Sequence, residues 1–151
     1  MSYIIDAIRT PIGSLSRSLS NLLADDLAAL PIQELIKRNP NLPLGLIDDV
    51  ILGCHNQAGE GNRNVARMAL LLAGIPYTVP SETVNRLFSS GISAVIHANR
   101  AIKADDGDIF IARGMEHMTR GPMVMSKSSK PFICEPQVTK NVWHRGHGRN
   151  G

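Results

Sequence analysis

The stretch from Glu82 to Ile96 constrains the fold more than any other part of the sequence. A short strand-type run over residues 82–87 reaches Phe88 and two serines, and apolar residues with helical spacing follow from Gly91 onward. Ser89 or Ser90 is the expected N-cap of that helix. The sequence therefore predicts a strand-to-helix turn in which residue 88 faces the N-terminus of a helix.

A turn of this kind suits a nucleophile. The free N–H groups and the positive end of a helix stabilise an anion and lower the pKa of a thiol placed there. The residue at this position is Phe88, whose ring has no nucleophilic atom. We therefore expect Phe88 to mark the position of a catalytic residue without being catalytic itself.

Strand-type and helix-type runs alternate along the chain. The predicted strands are residues 3–8, 47–52, 82–87 and 108–112. The predicted helices cover residues 25–38 and 64–73, and a third follows the turn at 88 and ends near 107; Pro31 should kink or split the first, and Gly74 should end the second. Such an order with short connections predicts an α/β fold with a largely parallel, helix-covered sheet.

The candidate site lies where strands end. In parallel sheets, ligands bind at the carboxyl ends of the strands. Phe88 and the loops at 53–62 and 113–122 all follow predicted strand ends. The sequence therefore predicts that these three segments converge on one crevice.

Composition favours a water-soluble domain that resides in the cytoplasm. The apolar fraction is 43%, the mean hydropathy is −0.04, and no run of eighteen apolar residues occurs. Residues 1–6 have neither a basic nor a long apolar segment, which argues against a signal peptide. Two cysteines, Cys54 and Cys134, are too few for a disulfide framework.

The net charge of +3 originates in the last part of the chain. From Lys127 onward five basic residues accompany one acid, whereas the first 126 residues hold 11 basic and 12 acidic residues. We therefore predict one domain over residues 1–127 and a divergent, irregular basic tail over residues 128–151. Five cations and the single Trp143 would give only a diffuse electrostatic footprint, which argues against a nucleic-acid partner.

Several motifs in a fixed order resemble the thiolase family of acyl-CoA:acetyl-CoA C-acyltransferases. The match runs from about Tyr3 to Lys127, roughly the first third of a family subunit, and the loop at 53–62 looks most like the 3-oxoadipyl-CoA branch of aromatic degradation. The motifs are residues 6–13, 48–53, 57–59, 62–67, 82–96 and 114–120, with Pro122.

The resemblance implies a thiolase-like fold, of which this chain is the N-terminal part of a layered α-β-α domain, truncated. It implies cleavage of a 3-oxoacyl-CoA by free CoA into acetyl-CoA and a shortened acyl-CoA, with CoA as a substrate and no other cofactor. The family's nucleophilic cysteine corresponds to Phe88. The family's Gly-His-Pro, Cys-x-Gly and Asn-Glu-Ala-Phe motifs do not occur in these 151 residues. Thiolase-type activity is therefore the family expectation, and inactivity is the expectation for this chain.

A second interpretation is a non-catalytic fragment that associates with itself or with an intact thiolase subunit through the third strand. A partial sheet leaves apolar surface and strand edges exposed, which favours association. After about Phe132 the match to the family ends abruptly, as a truncated or frameshifted reading frame would produce. The sequence therefore leaves two hypotheses, a thiolase-type enzyme and a non-catalytic fragment that binds another chain.

Other reactive residues have simpler interpretations. Cys54 is expected to be a buried core residue, and Ser89 a helix cap rather than a substitute nucleophile. Glu116 either orients a neighbour at the crevice or accepts hydrogen bonds from loop N–H groups. The set Cys134, His144 and His147 lacks the spacing of a zinc site, so no metal is expected.

Some basic residues are predicted to be structural or peripheral. Arg63, Arg67 and Arg86 are interpreted as solvated or ion-paired, with a subunit contact as an alternative for Arg86. His97 is interpreted as a residue of a helix face. The sequence departs from the family pattern at Arg113, where glycine is usual and where an arginine would crowd a turn, and also at His117 and Gly121, where serine and alanine are common.

Overall fold

Three parallel strands form the centre of the fold. The structure is a computed structural model that describes residues 1–125 and 138–139. Strand β1 (Asp49–Gly53) lies between β2 (Ser81–Val84) and β3 (Phe110–Gly114), and both neighbours run parallel to it. The predicted parallel α/β sheet is confirmed, with each of these strands placed within a few residues of its predicted range.

Helices cover both faces of this sheet. Helices α1 (Ala24–Arg38) and α2 (Val65–Leu72) lie on the face that includes Val50 and Leu52, and α3 (Ser90–Lys103) lies on the face that includes Ile51. Successive residues of β1 therefore enter different cores, as the two-residue period of a strand requires. The domain has the layered α-β-α arrangement that the family resemblance implies.

The predicted first strand, residues 3–8, is wrong. These residues belong to no strand, and Tyr3, Ile4 and Ile5 are exposed. Polar contacts hold the segment instead: the Ser2 hydroxyl donates to Asn99 Oδ1 at 2.6 Å, and Asn39 Nδ2 donates to Asp6 Oδ2 at 3.0 Å. A β-type composition gives a strand only where a neighbouring strand pairs with it, and no described strand pairs with residues 3–8.

Helix α1 is continuous through Pro31. The helix extends to Arg38, so the predicted split does not occur. Proline removes one backbone hydrogen bond and disfavours a helix interior. Pro31 and the neighbouring Ile32 are buried, so packing in the core offsets that cost.

Helix α2 begins and ends as predicted. The Asn64 side chain accepts a hydrogen bond from the Arg67 N–H at 3.2 Å, as an N-cap does, and also accepts one from the Thr83 hydroxyl at 2.9 Å. Gly74, with φ of 81°, follows the C-cap. The cap thereby ties the start of α2 to strand β2.

Helix α3 approaches the ends of two strands at backbone distance. A Cβ atom on Gly53 would lie 2.1 Å from the carbonyl carbon of Ser90, and one on Gly91 would lie 3.1 Å from the Gly114 Cα. Only glycine permits such contact between a helix start and a sheet. These glycines therefore place the N-terminus of α3 against the carboxyl ends of β1 and β3.

Residues Met1–Arg120 form one compact unit, and a second unit begins at Gly121. In the second unit, β4 (Val124–Met125) pairs antiparallel with β5 (Val138–Thr139). The remainder of the predicted tail, 128–151, lies outside the described residues, and the irregular structure proposed for it stays a prediction. No helix within residues 1–125 is long and apolar enough to cross a membrane.

Candidate functional site

Phe88 lies in the turn that joins β2 to α3. Strand β2 ends at Val84 and α3 begins at Ser90, so residue 88 comes two positions before the helix. The Phe88 side chain is exposed, with 76% of its surface accessible. The structure thus has the predicted strand-to-helix turn and presents residue 88 beside the start of a helix.

The two serines of this turn differ in the contacts that their side chains make. Ser89 occupies the N-cap position but makes no capping hydrogen bond with its side chain. The buried Ser90 hydroxyl instead accepts from the Arg86 N–H at 2.8 Å and donates to the Leu87 carbonyl at 2.5 Å. Ser89 therefore occupies the predicted N-cap position, but the side-chain hydrogen bonds of the turn are made by Ser90.

Leu87 adopts a left-handed backbone conformation immediately before Phe88. Its φ is 53°, a region that bulky residues rarely occupy. The Leu87 N–H donates to Asn85 Oδ1 at 3.0 Å, which helps to hold this conformation. Backbone strain of this kind concentrates at functional sites, where it fixes the direction of the next side chain. Leucine is not a residue type that indicates a left-handed conformation, so the sequence does not predict this feature of Leu87.

The three loops predicted to converge are joined by hydrogen bonds. The Glu116 carboxylate accepts from the His55 N–H at 2.8 Å and from the Asn56 N–H at 3.2 Å. Asn85 Nδ2 donates to the His55 carbonyl at 3.3 Å, which connects the turn before Phe88 to the same loop. The three segments therefore lie together, and Glu116 has the loop-binding role of the two that the sequence left open. The crevice itself stays a prediction.

Cys54 is a core residue, as predicted. It is buried beside the loop that Glu116 organises. Loss of hydration and the nearby Glu116 charge raise the pKa of the Cys54 thiol to about 12. At neutral pH this cysteine is therefore protonated and a poor nucleophile.

An ion pair between Glu60 and Arg120 joins distant parts of the site. Arg120 Nε lies 2.7 Å from both carboxylate oxygens of Glu60, and Arg120 Nη2 also contacts Oε1. Glu60 Oε2 accepts from the Ala24 N–H at 3.0 Å and so caps α1. Hydrogen bonding to Arg120 lowers the pKa of Glu60. No local pattern indicates this link, because Glu60 is 60 residues from Arg120 and 36 residues from Ala24.

Two arginines bind backbone carbonyls. Arg67 donates to the carbonyls of Val79 and Tyr77, each at 2.8 Å, so its interpretation as a solvated or ion-paired residue is wrong. Arg113 donates to the carbonyls of Gly114 and Ala28. The Arg113 side chain therefore connects the end of β3 with α1.

His97 and His117 have structural positions, one on a helix face and one in the interior. His97 lies on α3 with Nδ1 3.2 Å from Glu82 Oε1, which confirms it as a helix-face residue. His117 is buried, and its Nε2 donates to the Leu19 carbonyl at 3.1 Å. Within the described part of the chain, no group of three or more candidate ligands is placed to hold a metal ion. Cys134, His144 and His147 lie outside the described residues.

The family is decided by comparison with known sequences. The family profile of the thiolase N-terminal domain matches residues 2–145. The chain belongs to the thiolase family. The match continues beyond Lys127 and Phe132, so the family resemblance extends further than the sequence motifs alone predicted.

Two curated thiolases are more than half identical to this thiolase-family chain over the aligned residues. The 3-oxoadipyl-CoA/3-oxo-5,6-dehydrosuberyl-CoA thiolase of Escherichia coli strain K12 is 59% identical over 137 residues, which are 91% of this chain and 34% of the relative. A beta-ketoadipyl-CoA thiolase of Pseudomonas knackmussii is 55% identical over 130 residues, which are 86% of this chain and 32% of the relative. The chain thus spans about a third of the length of these relatives.

Solved thiolase structures share the fold described above. The acetyl-CoA acetyltransferase of Bacillus anthracis has a TM-score of 0.80 and 31% identity, over 89% of this chain and 34% of that one. The Acat5 thiolase of Ascaris suum, solved in complex with coenzyme A, has a TM-score of 0.74 and 34% identity, over 82% of this chain and 32% of that one. The predicted thiolase-like α/β fold of a partial domain is confirmed.

Proposed function

We propose that this chain derives from a thiolase-type acyltransferase specific for 3-oxoadipyl-CoA and related 3-oxoacyl-CoA substrates, and that it is catalytically inactive with phenylalanine at position 88. Coenzyme A is the proposed second substrate, and no further cofactor is proposed. The relatives' names, and the coenzyme A complex of one solved relative, support the substrate class. The free buried thiol of Cys54 fits a cytoplasmic location, which we also propose.

The observation that carries this proposal is the position of Phe88. A residue held after a strained Leu87 and before the start of α3 has the geometry that activates a thiolate. A phenyl ring cannot form the acyl intermediate. Removal of a covalent nucleophile from other enzymes lowers kcat by roughly 10⁶-fold. The frame of the site is therefore retained in a chain that does not supply the reacting atom.

The first expected result is the absence of thiolysis. Purified chain is mixed with CoA and either acetoacetyl-CoA or 3-oxoadipyl-CoA, and loss of the 3-oxoacyl thioester is followed by absorbance. We expect a rate equal to that of heat-denatured protein, because neither Phe88 nor the buried Cys54 supplies a thiolate. An intact 3-oxoadipyl-CoA thiolase serves as the positive control. Turnover above the heat-denatured baseline that survives repurification would refute the proposed inactivity.

A second candidate function, association, is favoured by the exposed apolar surface. Tyr3, Ile4 and Ile5 are exposed near one end of the chain, and Leu87, Phe88 and Ile92 are exposed around the start of α3. Strands β2 and β3 are the outer strands of the described three-stranded sheet. Exposed edges and apolar clusters favour pairing with another chain.

Association predicts that the mass in solution exceeds 16.4 kDa. We expect size-exclusion chromatography with light scattering to give a dimer or a larger species whose fraction rises with protein concentration. Addition of an intact thiolase tests the mixed assembly in the same experiment. A single 16.4 kDa species across a hundredfold range of concentration would exclude self-association.

A further inference from the structure

A cavity separate from Phe88 opens beside the edge strand β3. Its volume is about 790 Å³, and residues 8–15 form one wall. The lining combines polar and apolar residues; its larger apolar members are Ile8, Ile12, Leu15, Leu19, Leu27 and Met118. Arg113, which contacts α1, also lines the cavity, whereas Phe88 precedes α3 on the opposite face of the sheet. Phe88 does not line the cavity, whereas Glu116 both lines it and joins the loops described above.

The charged side chains of the cavity wall differ in how many protein partners they have. Arg9 and Arg113 contribute two cations, and Glu116 contributes the carboxylate. Both oxygens of Glu116 already accept backbone hydrogen bonds from His55 and Asn56. No carboxylate of the described residues lies within ion-pair distance of Arg113.

Arg113 retains donors for a ligand. Its hydrogen bonds to the carbonyls of Gly114 and Ala28 use Nε and Nη1, whereas a guanidinium has five N–H groups. Loss of hydration lowers the pKa of Arg113 to about 10, so the side chain is still charged at neutral pH. A half-buried cation with no carboxylate beside it among the described residues attracts an anion, and guanidinium groups bind carboxylates with paired hydrogen bonds.

We propose that this cavity binds a small amphiphilic carboxylate, with the carboxylate head on Arg113 and an aliphatic chain against the apolar wall formed by Ile12 and Leu27. The charge selects the head group, and the apolar lining selects the chain. A carboxylate without a chain would leave the wall in contact with water. An uncharged chain would leave Arg113 without a counter-ion.

Sodium octanoate is the probe that tests this proposal. The full 151-residue chain is titrated with octanoate, with octan-1-ol, and with inorganic phosphate, and binding is followed by calorimetry and by amide chemical shifts. We expect saturable binding of octanoate that is about tenfold tighter than binding of either control, because one charge-assisted pair and the apolar contacts act together. The largest amide shifts should map to residues 8–15 and 112–114.

Substitution separates the proposed site from a general effect on stability. Arg113→Gln should weaken octanoate binding about tenfold or more. Arg67→Gln is the matched control, because Arg67 also donates to two backbone carbonyls but does not line the cavity. Arg67→Gln should therefore leave octanoate binding unchanged.

Each of three results would overturn the proposal. These are equal binding of octanoate and octan-1-ol, binding of phosphate as tight as that of octanoate, and unchanged octanoate affinity in Arg113→Gln. If Arg113→Gln does not fold, the comparison of ligands and the amide map on the unsubstituted chain decide alone. The thiolysis assay does not enter this test, so the two proposals fail independently.

Discussion

Replacement of Gly53 by alanine is expected to lower the free energy of unfolding by about 3 kcal/mol or more. The added Cβ atom would lie 2.1 Å from the Ser90 carbonyl carbon and 2.4 Å from the Gly91 nitrogen. These are backbone atoms at the start of α3, so no side-chain rotation relieves the contact. Either α3 moves away from the sheet or β1 distorts, and both disrupt the turn that holds Phe88.

The measurement is urea unfolding followed by circular dichroism. Gly45→Ala is the matched control, because a Cβ atom there meets no atom within 4 Å and the residue is exposed. The control should change the free energy of unfolding by less than about 0.5 kcal/mol. If Gly53→Ala and Gly45→Ala unfold at the same urea concentration, the close approach of α3 to β1 is wrong.

Phe88→Cys is expected to create a thiol that alkylates at least about a thousandfold faster than Cys54 at pH 7. Burial raises the pKa of Cys54 to about 12, whereas an exposed thiol at the start of α3 should have a pKa below the ordinary value of about 8.5. The difference in thiolate fraction alone accounts for this ratio. Peptide mapping after reaction with iodoacetamide distinguishes the new thiol from Cys54 and Cys134.

Leu72→Cys is the control for the effect of the helix start. Leu72 is exposed and is the last residue of α2, where the negative end of the helix raises the pKa of a thiol. The pH dependence of alkylation should therefore give a lower pKa at position 88 than at position 72. The opposite order would contradict the proposed site. Thiolysis should remain absent in Phe88→Cys, because the family's acid–base motifs do not occur in these residues.

The sequence predicted those features that depend on short-range pattern. Alternation of strand and helix runs gave the parallel sheet, and Asn64 with Gly74 gave the limits of α2. Each of these is determined by residues within one or two turns of the chain. The position of residue 88 before a helix was also predictable, because the serines and the apolar residues with helical spacing follow it directly in the chain.

Features that depend on partners far along the chain were missed. The capping of α1 by Glu60, the link of Glu60 to Arg120, and the carbonyl contacts of Arg67 and Arg113 carry no local signature. The strand at residues 3–8 is the opposite case, since it was predicted and is absent. Its composition is suitable for a strand, but no described strand pairs with it.

The sequence by itself determined the order of the three paired strands and three helices, the family, and the presence of a phenyl ring where a nucleophile is expected. Only the tertiary structure decided that Ser90 rather than Ser89 closes the turn, that Leu87 is left-handed, and that Glu116 joins two loops. The reason is physical. Residue type and spacing fix local preference, whereas hydrogen bonds between distant segments and close backbone contacts exist only after the layers have packed.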